Sequence, residues 1–267
     1  MPIELLKESD IELQRKSSLA VCSVLSELAS ILKPGITGKH LNSVAEEMIS
    51  DLGGKPSFKG YRGFPSALCI SPNSMVVHGI PSEVEFKEGD LISIDCGIFL
   101  NGFHGDVAFT FLLDGASKES LDLCKVTYEA LLISKNFFKS GNRIGDYGAE
   151  LLKTVEREKR YGIVRELIGH GVGRNLHQDP EVPNFGKKGS GPMCKEGMVL
   201  AVEPMINLGS KKVKQLSDGW SIVTFDGKPS AHYEHNIVVR KNHAEFLSNH
   251  DEIHERIKIN RNLVSIL

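Results

Sequence analysis

Five side chains with metal-binding chemistry, Asp95, Asp106, His170, Glu203 and Glu234, stand in short settings spread along the chain. Four carboxylates and one imidazole make an oxygen-rich set without thiolate, which suits Mn(II), Fe(II) or Co(II), with Zn(II) kept as a further option. The two aspartates bound the segment Asp95-Cys96-Gly97-Ile98-Phe99-Leu100-Asn101-Gly102-Phe103-His104-Gly105-Asp106. Asn-Gly between apolar residues is a strong hairpin signal. With Asn101-Gly102 as the turn, Asp106 faces Gly97, and Asp95 is its diagonal neighbour on the same face, roughly 7–8 Å away. Gly97 leaves space between them. Paired carboxylates without a counter-charge resist ionisation, so a cation would account for the arrangement. Cys96 points to the other face by strand alternation and reads as core. Taken alone, the same residues also fit an ordinary exposed hairpin with surface acids.

The remaining settings favour the metal. Ile168-Gly169-His170-Gly171-Val172-Gly173 puts a histidine in what reads as a glycine-dense turn, where backbone packs closely around a bound group. Val199-Leu200-Ala201-Val202-Glu203-Pro204 ends an apolar strand on a carboxylate, with proline as the stop. Residues 231–239 read as a late strand carrying Glu234 between His232 and His235. Two ions roughly 3.5–4 Å apart, sharing carboxylates, lower the pKa of a bridging water and polarise a carbonyl, which is chemistry for amide hydrolysis. His78, in Val77-His78-Gly79, and His177, in Leu176-His177-Gln178, read in isolation as turn and loop residues.

These groups need a frame, and 267 residues allow one large domain or two small ones, long enough to bury a core without disulfides. Residues 8–32 and 117–139 read as helices. After each comes a glycine-bearing break (Pro34-Gly35, Ser140-Gly141) and another helical pattern, one with Leu41, Val44, Ala45, Met48, Ile49 and Leu52, the other with Leu151, Leu152 and Val155. This echo predicts an α+β domain over 1–248 built of two halves, about 8–115 and 116–245, followed by a tail at 249–267. The site would then lie between the halves, a usual place for a pocket. Charge is nearly balanced, 32 basic against 34 acidic residues, so nothing demands DNA or a membrane as a partner. Five scattered cysteines without CxxC spacing read as reduced thiols of a cytoplasmic protein. No signal peptide or membrane-length apolar run is visible.

The chain resembles a type I methionine aminopeptidase from about residue 8 to about residue 245. The resemblance rests on Val76-Val77-His78-Gly79-Ile80-Pro81, His104-Gly105-Asp106, Gly169-His170-Gly171-Val172-Gly173 with Leu176-His177, Glu203-Pro204, Asp218-Gly219-Trp220 and Tyr233-Glu234-His235. It implies the pseudo-twofold pita-bread fold, a curved antiparallel sheet covered by helices. It also implies removal of the initiator methionine from nascent polypeptide N-termini whose second residue is small, by a water activated at a dinuclear metal site. Asp95 and Asp106 would hold one ion and His170 the other, with Glu203 and Glu234 shared and Glu203 also carrying the proton. His177 would stabilise the oxyanion and His78 contact the scissile peptide. Phe58, Tyr61, Phe64, Cys69, Leu176 and Trp220 would surround the methionine thioether. Many members have tyrosine in place of Phe64, cysteine in place of Phe58 and an aromatic in place of Leu176, which bears on fine substrate preference.

An Xaa-Pro peptidase on the same fold is the main alternative, but such enzymes commonly carry a further histidine four residues before the ligand histidine, where this chain has Glu166. A type II enzyme would need an inserted subdomain between Glu203 and Glu234. A non-catalytic peptide- or RNA-binding relative would be expected to lack ligands that are all present here. Lys187-Lys188 and Lys211-Lys212-Val213-Lys214 are candidate ribosome contacts, or simply solvated loops. The early start of the matched pattern favours a bacterial or organelle-like enzyme, and a monomer is expected.

Overall fold

The computed structural model describes residues 3–267; Met1 and Pro2, at the start of the region set at 1–248, lie outside the described residues. Helix α1 (Glu8–Ile31) buries Val21, Val24, Leu25 and Leu28 on one face. Helix α2 (Gly38–Asp51) follows a turn at Gly35 (φ +86°) and starts on Thr37, whose hydroxyl accepts from His40 N–H. Strand β1 (Leu68–Pro72) then leads to the long hairpin of β2 (Leu91–Leu100) and β3 (Phe103–Leu112). Asn101 and Gly102 have φ of 55° and 86°, the pair of positive values that a two-residue type I′ turn requires. The register sets Gly97 opposite Asp106, as expected, and on the other edge of β2 Cys69 lies opposite Asp95. Helix α1 packs across this hairpin, tightly at Gly105, where a Cβ would run into the Ser17–Ser18 backbone.

A similar order of elements follows. Helix α3 (Lys118–Leu132) is capped by Ser117, and α4 (Ile144–Leu151) follows a turn at Gly141 (φ +92°). The predicted face of Leu151, Leu152 and Val155 is not one α-helix, because the winding widens to a π-helix over Leu152–Glu158. Strands β4 (Gly169–Gly171), β5 (Gln178–Val182), β6 (Val199–Val202), β7 (Met205–Asn207), β8 (Ser230–His232), β9 (His235–Val239) and β10 (Ala244–Phe246) follow, and Ile222–Thr224 pairs with Met75–Val77 and Val213–Gln215 in a separate small sheet. A five-stranded antiparallel sheet has the order β10-β9-β6-β4-β5, while β7 lies between β8 and Gly162–Ile163.

Two sequence expectations change here. The glycine-dense segment around His170 is a strand, not a turn, sandwiched between β5 and β6. Its glycines are needed because a Cβ at Gly169 or Gly171 would strike the carbonyls of Ala201 or Asp179. The strand predicted over 231–239 is two strands, since Tyr233 turns into the core and donates its hydroxyl to Thr110 O at 3.0 Å.

A seam of contacts joins β3 to this late segment. Asp106 N–H donates to Asn236 Oδ1 (2.9 Å), Glu234 N–H to Ala108 O (2.9 Å), and His232 N–H to Thr110 Oγ1 (3.0 Å). Each contact steps two residues along both segments in opposite senses. Residues 249–267 include helix α5 (Asp251–Ile259), which packs on α1 through Ile253 and Ile257. Asn260 Nδ2 then donates to Ala29 O and Leu32 O, carbonyls at the C-terminal end of α1. Among the described residues no helix is long and apolar enough to cross a membrane.

Candidate metal centre and apolar pocket

The five ligand candidates line one cavity of about 300 Å³. Asp95 and Asp106 come from the β2–β3 hairpin and His170 from β4, while Glu203 and Glu234 sit in the breaks that follow β6 and β8. Ligand atoms of Asp106, His170 and Glu234 all lie within 4.8 Å of one another. His170 Nδ1 is 3.0 Å from Gly171 O, which makes Nδ1 the protonated nitrogen, since a carbonyl only accepts. Nε2 is then left without a proton, facing Glu203 Oε1 at 3.5 Å and Asp106 Oδ2 at 3.9 Å. Acceptors so arranged attract each other only through a proton or a cation between them.

Burial sharpens this conflict. Desolvation pushes Asp95 up to about 7. It pushes Asp106, Glu203 and Glu234 well above the usual carboxylate range, with the neighbouring acids adding to the effect. Desolvation also lowers His170 to about 4, so its imidazole is neutral at ordinary pH and available as a ligand. Asp95 Oδ1, Asp106 Oδ1 and Glu234 Oε1 are buried without a hydrogen-bond partner among the described residues. Unsatisfied acceptors, an unprotonated imidazole and an oxygen-rich donor set fit divalent cations.

The other end of the cavity is apolar. Phe58, Phe64, Cys69 and Leu176 form a small buried cluster with Tyr61, Ile80 and Trp220 packed against it. Phe64 and Trp220 meet edge to face at 5.2 Å. The loop carrying Phe58 to Phe64 is anchored on α2, where Asn42 Oδ1 accepts from Ala67 and Leu68 N–H. Trp220 is presented by a tight turn in which the Asp218 carboxylate accepts from Trp220 N–H, Ser221 N–H and the Ser221 hydroxyl. The space expected between the aspartates at Gly97 is already used: a Cβ there would fall 2.6 Å from Phe58 Cε1. The glycine thus lets the pocket wall close on the metal centre.

His78 and His177 line the same cavity. His78 has φ of 59°, a sparsely populated backbone region for a residue other than glycine. His177 sits beside His170, with ring centroids 4.1 Å apart, and its Nδ1 is 3.0 Å from the Tyr61 hydroxyl. Burial above all lowers its pKa to about 3. All thirteen site residues expected from the sequence therefore meet at one cavity. Sequence reading left out Arg62 and Glu166 at its rim and His232 behind it, whose Nε2 is 3.6 Å from Glu203 Oε2. It also missed a repeat that locates two ligands. Lys87-Glu88-Gly89 precedes β2 and Lys195-Glu196-Gly197 precedes β6, both glycines have positive φ, and Asp95 and Glu203 follow at the same interval.

Comparison with known proteins agrees with this chemistry. Metallopeptidase family M24 matches residues 12–241. A methionine aminopeptidase of Clostridium perfringens is 46% identical over 246 residues, 92% of this chain and 98% of the relative. Methionine aminopeptidase 1 of Bacillus subtilis is 43% identical, over 90% of this chain and 96% of its own length. The crystal structure of methionine aminopeptidase from Thermotoga maritima superposes with a TM-score of 0.90 at 40% identity, covering 92% of this chain and 99% of that one. The fold is the pita-bread fold, and the chain belongs to metallopeptidase family M24, among the type I methionine aminopeptidases.

Proposed function

We propose that this chain removes the initiator methionine from nascent proteins and peptides with a small second residue, using two divalent ions held by Asp95, Asp106, His170, Glu203 and Glu234. The observation that carries the reading is the unprotonated His170 Nε2 facing two carboxylates, in a cavity whose far end is apolar. Asp95 and Asp106 would hold one ion and His170 the other, with Glu203 and Glu234 shared. Mn(II), Fe(II) and Co(II) suit the donor set, with Zn(II) a further option. When bound, such ions supply Lewis-acid polarisation of the scissile carbonyl and a water nucleophile at neutral pH.

The chain's own residues would do the rest. Phe58, Tyr61, Phe64, Cys69, Leu176 and Trp220 would enclose the thioether, for which a soft apolar pocket is suited, and exclude water from the bond to be cut. Glu203 would carry a proton toward the leaving amine. With the Tyr61 hydroxyl donating to His177 Nδ1, His177 Nε2–H is free to donate to the developing oxyanion. His78 would contact the scissile peptide. The domain would comprise halves at about 8–115 and 116–245, with 249–267 as an appended C-terminal segment. We place the enzyme in the cytoplasm as a monomer, with Lys187, Lys188, Lys211, Lys212 and Lys214 meeting ribosomal RNA.

Metal-stripped protein given back Mn(II), Fe(II), Co(II) or Zn(II) should release methionine from Met-Ala-Ser and leave an Ala-Pro peptide intact. Cleavage of the prolyl peptide alone would instead assign the chain to the Xaa-Pro peptidases. Replacing His177 by alanine should lower kcat about 100-fold with the metals still bound, the usual cost of losing one oxyanion donor; unchanged turnover would remove that role. Ribosome pelleting should weaken when the five lysines are changed to glutamate, and unaltered pelleting would dismiss the contact.

A further inference from the structure

Behind Glu203 stands a buried imidazole that the reaction above leaves unused. His232 is 1% exposed, and its Nε2 has no hydrogen-bond partner among the described residues. That nitrogen is 3.6 Å from Glu203 Oε2, while Glu203 Oε1 is 3.5 Å from His170 Nε2. The Glu203 carboxylate is therefore bracketed by two imidazoles. His170 presents a lone pair to one oxygen, and His232 presents an unpartnered ring nitrogen to the other.

The His232 backbone is fixed. Its N–H donates to Thr110 Oγ1 (3.0 Å), the Thr110 hydroxyl donates to its carbonyl (2.6 Å), and Ser93 Oγ lies 2.8 Å from the same threonine oxygen. Across the strands it is paired with Met205. Glu203 is held through its carbonyl, which accepts from Asn184 Nδ2 at 2.9 Å. With both backbones pinned, the remaining freedom is rotation of the two side chains. A small rotation closes 3.6 Å to the roughly 2.7–3.2 Å of a hydrogen bond.

We propose that His232 is a positioning residue for the metal centre: its Nε2–H donates to Glu203 Oε2 and keeps Oε1 turned toward His170 Nε2. The inference rests on the reading of this site as a metal centre. Once ions hold Glu203 ionised, its outer oxygen, on a side chain 14% exposed, is stabilised by a donor. A neutral imidazole supplies one without the positive charge that a lysine or arginine would set against the cations. Contacts of this kind behind a ligand are typically worth about 10–100-fold in metal affinity or activity.

The test compares wild type, His232→Leu and His232→Gln, each metal-stripped and then titrated with Mn(II) by calorimetry, with circular dichroism as the folding control. His232→Leu should bind Mn(II) about 10–100-fold more weakly and, at saturating Mn(II), lose kcat on Met-Ala-Ser with little change in KM. His232→Gln, whose amide N–H can reach the same oxygen, should recover most of both, which mere filling of the space by leucine cannot do. Wild-type metal affinity in His232→Leu, or a glutamine variant no better than leucine, would overturn the positioning role while leaving the site reading intact. Wild-type protein that neither binds Mn(II) nor releases methionine would overturn both.

Discussion

The burial of four carboxylates around one unprotonated imidazole nitrogen is the constraint on which the rest of this structure turns. Asp106 and Glu203 present oxygens to His170 Nε2, and Asp95 and Glu234 add buried oxygens of their own without donors. Such a cluster opposes folding if its members are ionised and unpaired. Protonation relieves the repulsion, and divalent cations relieve it while also making the cluster useful. The same desolvation that raises the carboxylates lowers His170, so both kinds of group are tuned toward binding metal.

Holding that cluster together requires three sheets at once. The hairpin supplies two aspartates, and the breaks after β6 and β8 supply two glutamates at points where the strands stop. The seam from β3 to residues 232–236 fixes their relation by backbone and side-chain hydrogen bonds at Asp106, Ala108 and Thr110. On the far side, Phe58 closes over Gly97, so the apolar pocket and the metal centre share a wall. A methionine side chain in the pocket would thus place the peptide bond on that residue's carboxyl side at the ions. Specificity and catalysis would follow from one packing arrangement.

Where the information was local, the sequence disclosed it. Asn101-Gly102 determined a turn, the turn determined the register, and the register put Asp95 and Asp106 on one face. Glu203 before Pro204 likewise marked a strand end. Where a tertiary neighbour decided, local reading failed. Gly169 and Gly171 look like turn residues, yet their role is to admit the carbonyls of adjoining strands. Tyr233 breaks its strand for the sake of a hydrogen bond to Thr110, far away in sequence. His232 looked like an ordinary flanking histidine because its significance lies in its distance to Glu203. The repeated Lys-Glu-Gly before β2 and β6 was visible in the sequence, though its meaning depends on the two acids that end up in one cavity.

The most direct test of the central claim is the proton balance of metal binding. Metal-stripped protein near pH 7 would be titrated with Mn(II) in buffers of different ionisation enthalpy. Carboxylates kept protonated by burial must give up protons as the ions enter, so the measured heat should depend on the buffer and report net proton release. Heats that do not change with buffer would show carboxylates already ionised before the metal arrives, and would contradict the account.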